Sequence, residues 1–436
     1  MEIKYYDKKH ECMSREDLKA LQSERLIKQV QYVYDNVETY RKKMDEMNVK
    51  PSDIKSIDDI VKLPFTVKQD LRDGYPFGMF AAKQKDIIRL HASSGTTGKL
   101  TVVGYTKNDI DVWAQMAARS IVASGGTEDM VAHVSYGYGL FTGGLGLHYG
   151  AEKLGCATVP SSSGNTQNQI RLIQDFKADI LACTPSYAIY LASEMEKQGL
   201  KPEDIALKIG IFGAEPWTDE MRKVIEEKLG IKAYDIYGLS EIMGPGVACE
   251  CAYQNGLHIN EDHFYPEIID PVTLEPVAPG EKGELVFTTL TKEGIPLIRY
   301  RTKDIATINY EKCECGRTLA RLGKITGRTD DMLIIRGVNV FPSQIEAAIM
   351  SVNKNVEAHY QIIVDRVNNL DTLEIQIEIN EAMFSDEINK LEALRTAISD
   401  NVKSMLSVGA KITLVSPNTL PRSEGKAKRV IDKRKI

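Results

Sequence analysis

No uninterrupted apolar stretch in this 436-residue chain approaches the roughly 20 residues that a membrane-spanning helix needs, so a bilayer-embedded protein is not expected. The opening segment Met1–Lys9 is charged and has no apolar signal core. Nothing there points to export, and the cytoplasm is the expected location. An excess of basic residues is also missing. The formal net charge is −6, which argues against non-specific binding to nucleic acid or to an anionic membrane. There is no internal repeat, no low-complexity tract and no long polar linker, so domains must meet at a tight hinge. The seven cysteines are odd in number, and four of them fall in two C-x-C pairs. That usage favours reduced thiols or metal ligands over disulfides. What remains is ordinary soluble globular composition, 43% hydrophobic and 27% charged, in a chain long enough for two or three domains.

Against that background one segment stands out. Ser93-Ser94-Gly95-Thr96-Thr97-Gly98-Lys99 follows the apolar run Ile87-Ile88-Arg89-Leu90 and packs hydroxyls, two glycines and a lysine together. A strand opening into such a loop offers backbone N–H groups, O–H groups and a cation to a polyanion. It is not a Walker A loop, which places four residues between its glycines; here there are two.

Further along, strand-like runs (Met130–Val134, Ala178–Cys183, Ile209–Phe212, Ala233–Ile236) alternate with helix-like ones (Thr166–Phe176, Ser186–Gln198, Thr218–Leu229). The segment Ser14–Glu46 reads as helices, opened by a capping pair of Ser14 and Asp17. Such alternation predicts an α/β fold with a largely parallel sheet, whose ligands gather at loops leaving the carboxyl ends of strands. Ser93–Lys99, Gly213-Ala214-Glu215-Pro216 and Tyr237-Gly238-Leu239-Ser240-Glu241 read as three such loops. After Gly327 the texture becomes that of a small α+β unit. It has a helix at Pro342–Val352, a hairpin around Asn368-Asn369, a helix near Ser385–Leu406 and a strand at Lys411–Val415. The expected division is 1–328, with a helical start over about 1–60, and 329–436. The chain closes with a basic segment, Pro421–Arg429, that contains Gly425-Lys426.

Five signatures stand in order over more than 330 residues: Ser94–Lys99, Tyr237–Glu241, Tyr300-Arg301-Thr302-Lys303-Asp304, Gly327-Arg328-Thr329-Asp330-Asp331 and Gly425-Lys426. Together they resemble the adenylate-forming superfamily of acyl-CoA synthetases. Leu63-Pro64-Phe65-Thr66, Tyr75-Pro76-Phe77-Gly78, Glu261-Asp262-His263-Phe264, Pro266–Pro271 and Arg336-Gly337-Val338-Asn339-Val340-Phe341-Pro342 are similar to the phenylacetate–CoA ligase family over essentially the whole chain. The resemblance implies a large adenylating domain of parallel sheets and helices with a small mobile lid. It also implies ATP-dependent joining of an aryl acid to coenzyme A through an acyl adenylate. Lys426 would reach the α-phosphate and the carboxylate, with Lys428 the rival in the same segment, and Glu241 would hold Mg²⁺. Ser93–Lys99 would meet the phosphates, Tyr237 would stack on adenine with Gly213–Pro216 lining the base, and Asp235, Gly238 and Ser240 would also bind the nucleotide. Asp304 would accept the ribose hydroxyls, with Arg328 beside it. Asp330 would be the hinge, and Arg336, Gly337 and Val338 would face coenzyme A. After the strand at Met130–Val134, Tyr136 and Phe141 are candidates to clamp a flat ring, with Gly213 at the same pocket. An adenylating enzyme that hands its acyl group to a carrier protein would carry the same core motifs. A homodimer is the expected assembly, from the commonness of that state.

Cys249-Glu250-Cys251, His258 and Cys313-Glu314-Cys315 form a separate constellation. Three thiolates and one imidazole are the donor set of a closed structural zinc site. The resemblance favours Cys251 over Cys249, giving Cys251, His258, Cys313 and Cys315 as the expected Zn²⁺ ligands.

Overall fold

The computed structural model describes residues 4–93, 100–329, 333–336, 338–352, 359–367, 370–379, 388–406, 408–421 and 429–434. Its centre is a nine-stranded sheet. Five strands run parallel, in the spatial order Ala157–Val159, Val131–Val134, Ile180–Cys183, Ile209–Gly213 and Lys232–Leu239. Gly244–Glu250, Leu257–Ile259, Arg321–Leu322 and Ile308–Asn309 then extend the sheet antiparallel. Ile180–Cys183 is buried throughout, which is why it reads as an unbroken apolar run rather than an alternation. The connecting helices Thr166–Asp175, Pro185–Lys197 and Asp219–Leu229 lie close to their sequence-based bounds. In the helix Arg15–Asn36 the Ser14 side chain accepts from the Asp17 amide. Leu18, Leu26, Val30 and Val33 are buried along its inner face at helical spacing.

Two expectations need correction. Tyr237–Leu239 is not loop but the end of the strand Lys232–Leu239, and only Ser240–Met243 form a turn. The following strand supplies ladder partners (Tyr237 opposite Ala248, Gly238 opposite Pro245, with an irregularity between), and this pairing overrides the turn preference of Gly238. Second, Ile87–Ser93 does not belong to the parallel sheet. It pairs antiparallel with Thr101–Thr106, and Ser94–Lys99, which follow it in the sequence, lie outside the described residues.

A further sheet had no counterpart in the sequence reading. Phe264–Ile269, Gly283–Thr289, Tyr300–Ala306 and Gly327–Arg328 form four antiparallel strands, and the last pair sets Asp304 opposite Arg328. Beyond it, Lys411–Val415, Leu370–Glu378, Tyr360–Val367 and Val430–Asp432 make a four-stranded sheet with the helices Pro342–Met350 and Ile388–Leu406. This unit has its own core, including Ile345, Ile362, Ile375, Ile377, Ile398 and Ile412. Met350 reaches instead into the core beneath the helix Asp219–Leu229. Among the described residues no helix is long and apolar enough to cross a membrane.

Candidate active site

Strands from two sheets converge on one pocket. Gly213–Trp217 leave the end of one parallel strand, Asp235–Leu239 the end of its neighbour, and Asp304 and Arg328 face in from the antiparallel sheet. Close approach is built into the glycines. A Cβ on Gly238 would lie 1.7 Å from the Gly244 carbonyl oxygen, and one on Gly213 2.2 Å from that of Ile236. Ala214 beside them sits at a φ of 71°, a left-handed conformation of the kind that gathers at ligand sites.

Asp304 is the hub. Its Oδ2 accepts from the Tyr237 hydroxyl at 2.6 Å and its Oδ1 from Arg328 Nη1 at 2.8 Å, with the residue only 4% exposed. Burial, and then the Asp304 charge, push the Tyr237 phenol well above its ordinary range. On the pocket wall, burial and the neighbouring Glu250 carboxylate raise the Asp235 carboxyl to about 7. Glu250 is itself fixed by two hydrogen bonds from Arg222, at 2.7 and 2.9 Å, and by the Asp235 amide at 2.8 Å.

Glu241 lies in the Ser240–Met243 turn, 5% exposed, with Lys68 Nζ 3.2 Å from its Oε1. Among the described residues no neutral donor satisfies this carboxylate, and a buried, weakly paired carboxylate is a suitable donor for a hard cation. The Ser240 hydroxyl pairs with that of Thr142 at 3.0 Å, joining the turn to the segment that carries Tyr136 and Phe141. Those two rings have centroids 6.4 Å apart and are tilted by 50°. Tyr136 is buried, its hydroxyl without a hydrogen bond, and Phe141 is 43% exposed. Ser93 ends its strand with a buried hydroxyl that has no hydrogen-bond partner among the described residues. Ser94–Lys99, Asp330, Gly337 and Lys426 lie outside the described residues. Arg336 is exposed, donating to the Asp371 carbonyl at 2.9 Å, and Val338 begins a short strand after it. Lys68, Trp217 and Lys324 border the site without having been singled out from the sequence. Only Lys68 carried a signal, standing two residues beyond the Leu63–Thr66 motif.

An AMP-binding enzyme family model matches residues 8–290, and an AMP-binding enzyme C-terminal domain model matches 337–434. The phenylacetate-coenzyme A ligase of Thermus thermophilus is 52% identical over 444 residues, covering 99% of this chain and 100% of that protein. The chain belongs to the phenylacetate–CoA ligase family of AMP-binding enzymes. It is also similar to a solved 2-hydroxyisobutyryl-CoA ligase, 30% identical, with coverage of 98% of this chain and 92% of the other. Against that enzyme's postadenylation state with 2-HIB-AMP the TM-score is 0.92. Against its thioesterification state with 2-HIB-AMP and CoA, at 31% identity and with 97% and 91% covered, it is 0.73. The present arrangement is therefore the more similar to the postadenylation form.

The second constellation of this family member is compact. The donor atoms of Cys251, His258, Cys313 and Cys315 all lie within 4.8 Å of one another, and all four residues are buried. Cys251 and Cys313 sulfurs are 3.8 Å apart, and Cys315 Sγ is 3.4 Å from His258 Nε2. Neighbouring Cys251 and His258 hold the Cys315 thiol well below its usual range. Cys249 lies apart, its Sγ against the Ser120 carbonyl and the Ser124 hydroxyl, both at 3.8 Å.

Proposed function

We propose that this AMP-forming acid–CoA ligase acts on phenylacetate or a closely similar arylacetic acid. A carboxylate is a poor acyl donor, since oxide would have to leave. Attack of the acid's oxygen on the α-phosphorus of ATP expels pyrophosphate and gives an acyl adenylate. The coenzyme A thiol, losing its proton, then attacks the acyl carbon, and AMP departs with the bonding electron pair. Both steps build charge on oxygen, where preorganised cations and donors act most strongly.

The carrying observation is the Asp304 hub. An anchored, buried carboxylate flanked by Tyr237 and Arg328 suits a ribose diol, which it can meet with both oxygens. We assign adenine to Tyr237, Asp235, Gly238 and Gly213–Pro216, and the phosphates to Ser93–Lys99 and Ser240. Lys426 is assigned to the α-phosphate and the acid carboxylate, and Lys68 brings a second cation to the Glu241 side. Glu241 would hold the magnesium ion of the nucleotide, which when bound neutralises phosphate charge. The acid ring is placed between Tyr136, Phe141 and Gly213. The units 1–328 and 329–436 would turn about Asp330 between half-reactions, bringing Arg336, Gly337 and Val338 to coenzyme A. A comparison of kcat/KM over phenylacetate, indole-3-acetate, acetate and a medium-chain acid tests the acid assignment. Phenylacetate should lead acetate by at least ~100-fold, since a ring filling an apolar pocket contributes about 3 kcal/mol or more. Equal use of acetate would contradict it.

Cys251, His258, Cys313 and Cys315 we propose as a closed structural Zn²⁺ site. Their number leaves no open position for chemistry. Well under half an atom of zinc per purified chain would contradict this. We also propose a cytoplasmic homodimer.

A further inference from the structure

Lys292 is 1% exposed, which is rare for a lysine, and no carboxylate lies within ion-pair distance of it among the described residues. Its Nζ donates instead to two consecutive carbonyls of the glutamate turn, Glu241 O at 3.1 Å and Ile242 O at 2.8 Å. It also stands 4.7 Å from the centre of the Tyr105 ring. The Tyr105 hydroxyl shares its proton between the two remaining carbonyls of the same turn, Ser240 O at 3.2 Å and Met243 O at 3.0 Å. All four carbonyls of Ser240–Met243 are thus caught from one side by one ammonium and one phenol.

A buried ammonium that forms no close ion pair, with the Asp109 and Glu241 carboxylates acting on it only from a distance, is an expensive way to fill a core, and an apolar side chain of similar size would pack more cheaply. The arrangement makes sense if the orientation of the turn is what matters. Glu241 is its one acidic residue, so rotating these peptides would move that carboxylate. Tyr105 adds a second link. It lies on Thr101–Thr106, the strand paired with Ile87–Ser93, and its ring stacks on Trp113 at 5.1 Å. The strand Thr101–Thr106 and the glutamate turn are therefore tied together.

We infer that Lys292 and Tyr105 are positioning residues for adenylation, setting the Glu241 carboxylate by holding its turn and tying it to the strand Thr101–Thr106. This rests on the assignment of Glu241 to the metal–nucleotide complex. Neither residue is expected to touch substrate.

The test uses the full-length enzyme carrying Tyr105→Phe, which keeps the stacked ring and removes only the hydroxyl, and Lys292→Met. Calorimetry measures affinity for ATP with Mg²⁺ and for AMP without metal, and the two half-reactions are timed separately. In Tyr105→Phe the affinity for ATP with Mg²⁺ should fall at least ~5-fold, while AMP affinity and thioester formation from supplied acyl adenylate stay within 2-fold. Lys292→Met should shift the same quantity further in the same direction. Equal losses for ATP and AMP, equal slowing of both half-reactions, or a lower melting temperature with all affinities unchanged would each overturn the positioning role. If Lys292→Met fails to fold, Tyr105→Phe decides alone. Failure of Glu241→Gln to weaken ATP binding in the presence of Mg²⁺ would instead refute the underlying assignment of Glu241.

Discussion

Replacing Asp304 by asparagine isolates the charge of the hub with almost no change of shape. The wild-type carboxylate already accepts from Tyr237 and Arg328 and would still present lone pairs to the two ribose hydroxyls. In the variant one oxygen becomes an NH₂ group. If it turns toward Arg328, two donors meet, because a guanidinium accepts nothing. If it turns toward Tyr237, the phenol must reverse its role and one ribose hydroxyl loses an acceptor. Hydrogen bonds to charged groups contribute about 1.5–3 kcal/mol each. At 4% exposure solvent screens little of that. Allowing for non-additivity, the loss should be about 2–4 kcal/mol, or roughly 30- to 1,000-fold in ATP affinity. The assay is acid-dependent exchange of labelled pyrophosphate into ATP, with KM for ATP and for the acid measured separately. Asp304→Asn should raise KM for ATP by that factor and leave KM for the acid within about threefold. An unchanged KM for ATP, with the fold intact by circular dichroism, would refute the ribose assignment.

Lys426→Ala should slow adenylation by at least ~100-fold and spare thioester formation from supplied acyl adenylate; Asp330→Pro should do the reverse by freezing the hinge, and equal effects on both half-reactions would contradict the rotation. Chelation of the proposed zinc, or Cys315→Ser, should lower the melting temperature while the residual folded enzyme keeps its KM for ATP. Acid should destabilise the protein through His263, which burial, with Arg119 and Arg25 nearby, holds at about 4 against an ordinary value of 6.5. The native imidazole stays neutral while the unfolded chain takes a proton, so this contribution is complete above pH 6.5 and disappears as the pH falls toward 4, in all about 3 kcal/mol. Urea midpoints at pH 7 and pH 4.5 should therefore fall less for His263→Gln than for the parent, and equal falls would count against the neutral imidazole.

Much of this architecture was legible because local signals and packing agree. Ile180–Cys183 and Ile209–Gly213 are continuous apolar runs, the helices Pro185–Lys197 and Asp219–Leu229 are capped by Thr184 and Thr218, and the strands on either side of Asn368-Asn369 alternate clearly. Where long-range pairing decides the outcome, the reading fell short. Tyr237–Leu239 carries the composition of a turn but is drawn into strand by Gly244–Ala248. The strand Ile87–Ser93 that precedes Ser94–Lys99 reads as a strand of the parallel sheet, yet it pairs antiparallel with Thr101–Thr106. The site shows the same division. Motif residues could be named one at a time, whereas Asp304 facing Arg328 depends on strand register, and Lys68 near Glu241 joins positions 173 apart in the chain. The Lys292–Tyr105 anchor was invisible for the same reason, since nothing in Thr291-Lys292-Glu293 announces a lysine turned inward. The cysteine cluster was readable as a donor set. The spacing left Cys249 and Cys251 open and the resemblance favoured Cys251; in the fold Cys251 lies with the cluster, while Cys249 packs against Ser120 and Ser124.

The most direct test of the central claim is mass spectrometry of the purified enzyme with ATP, Mg²⁺ and phenylacetate, with and without coenzyme A. The account predicts phenylacetyl-CoA together with AMP only when coenzyme A is present, and phenylacetyl adenylate without it. Adenylate that persists unconverted in the presence of coenzyme A would contradict the thiol acceptor, and ADP in place of AMP would contradict the adenylate route itself.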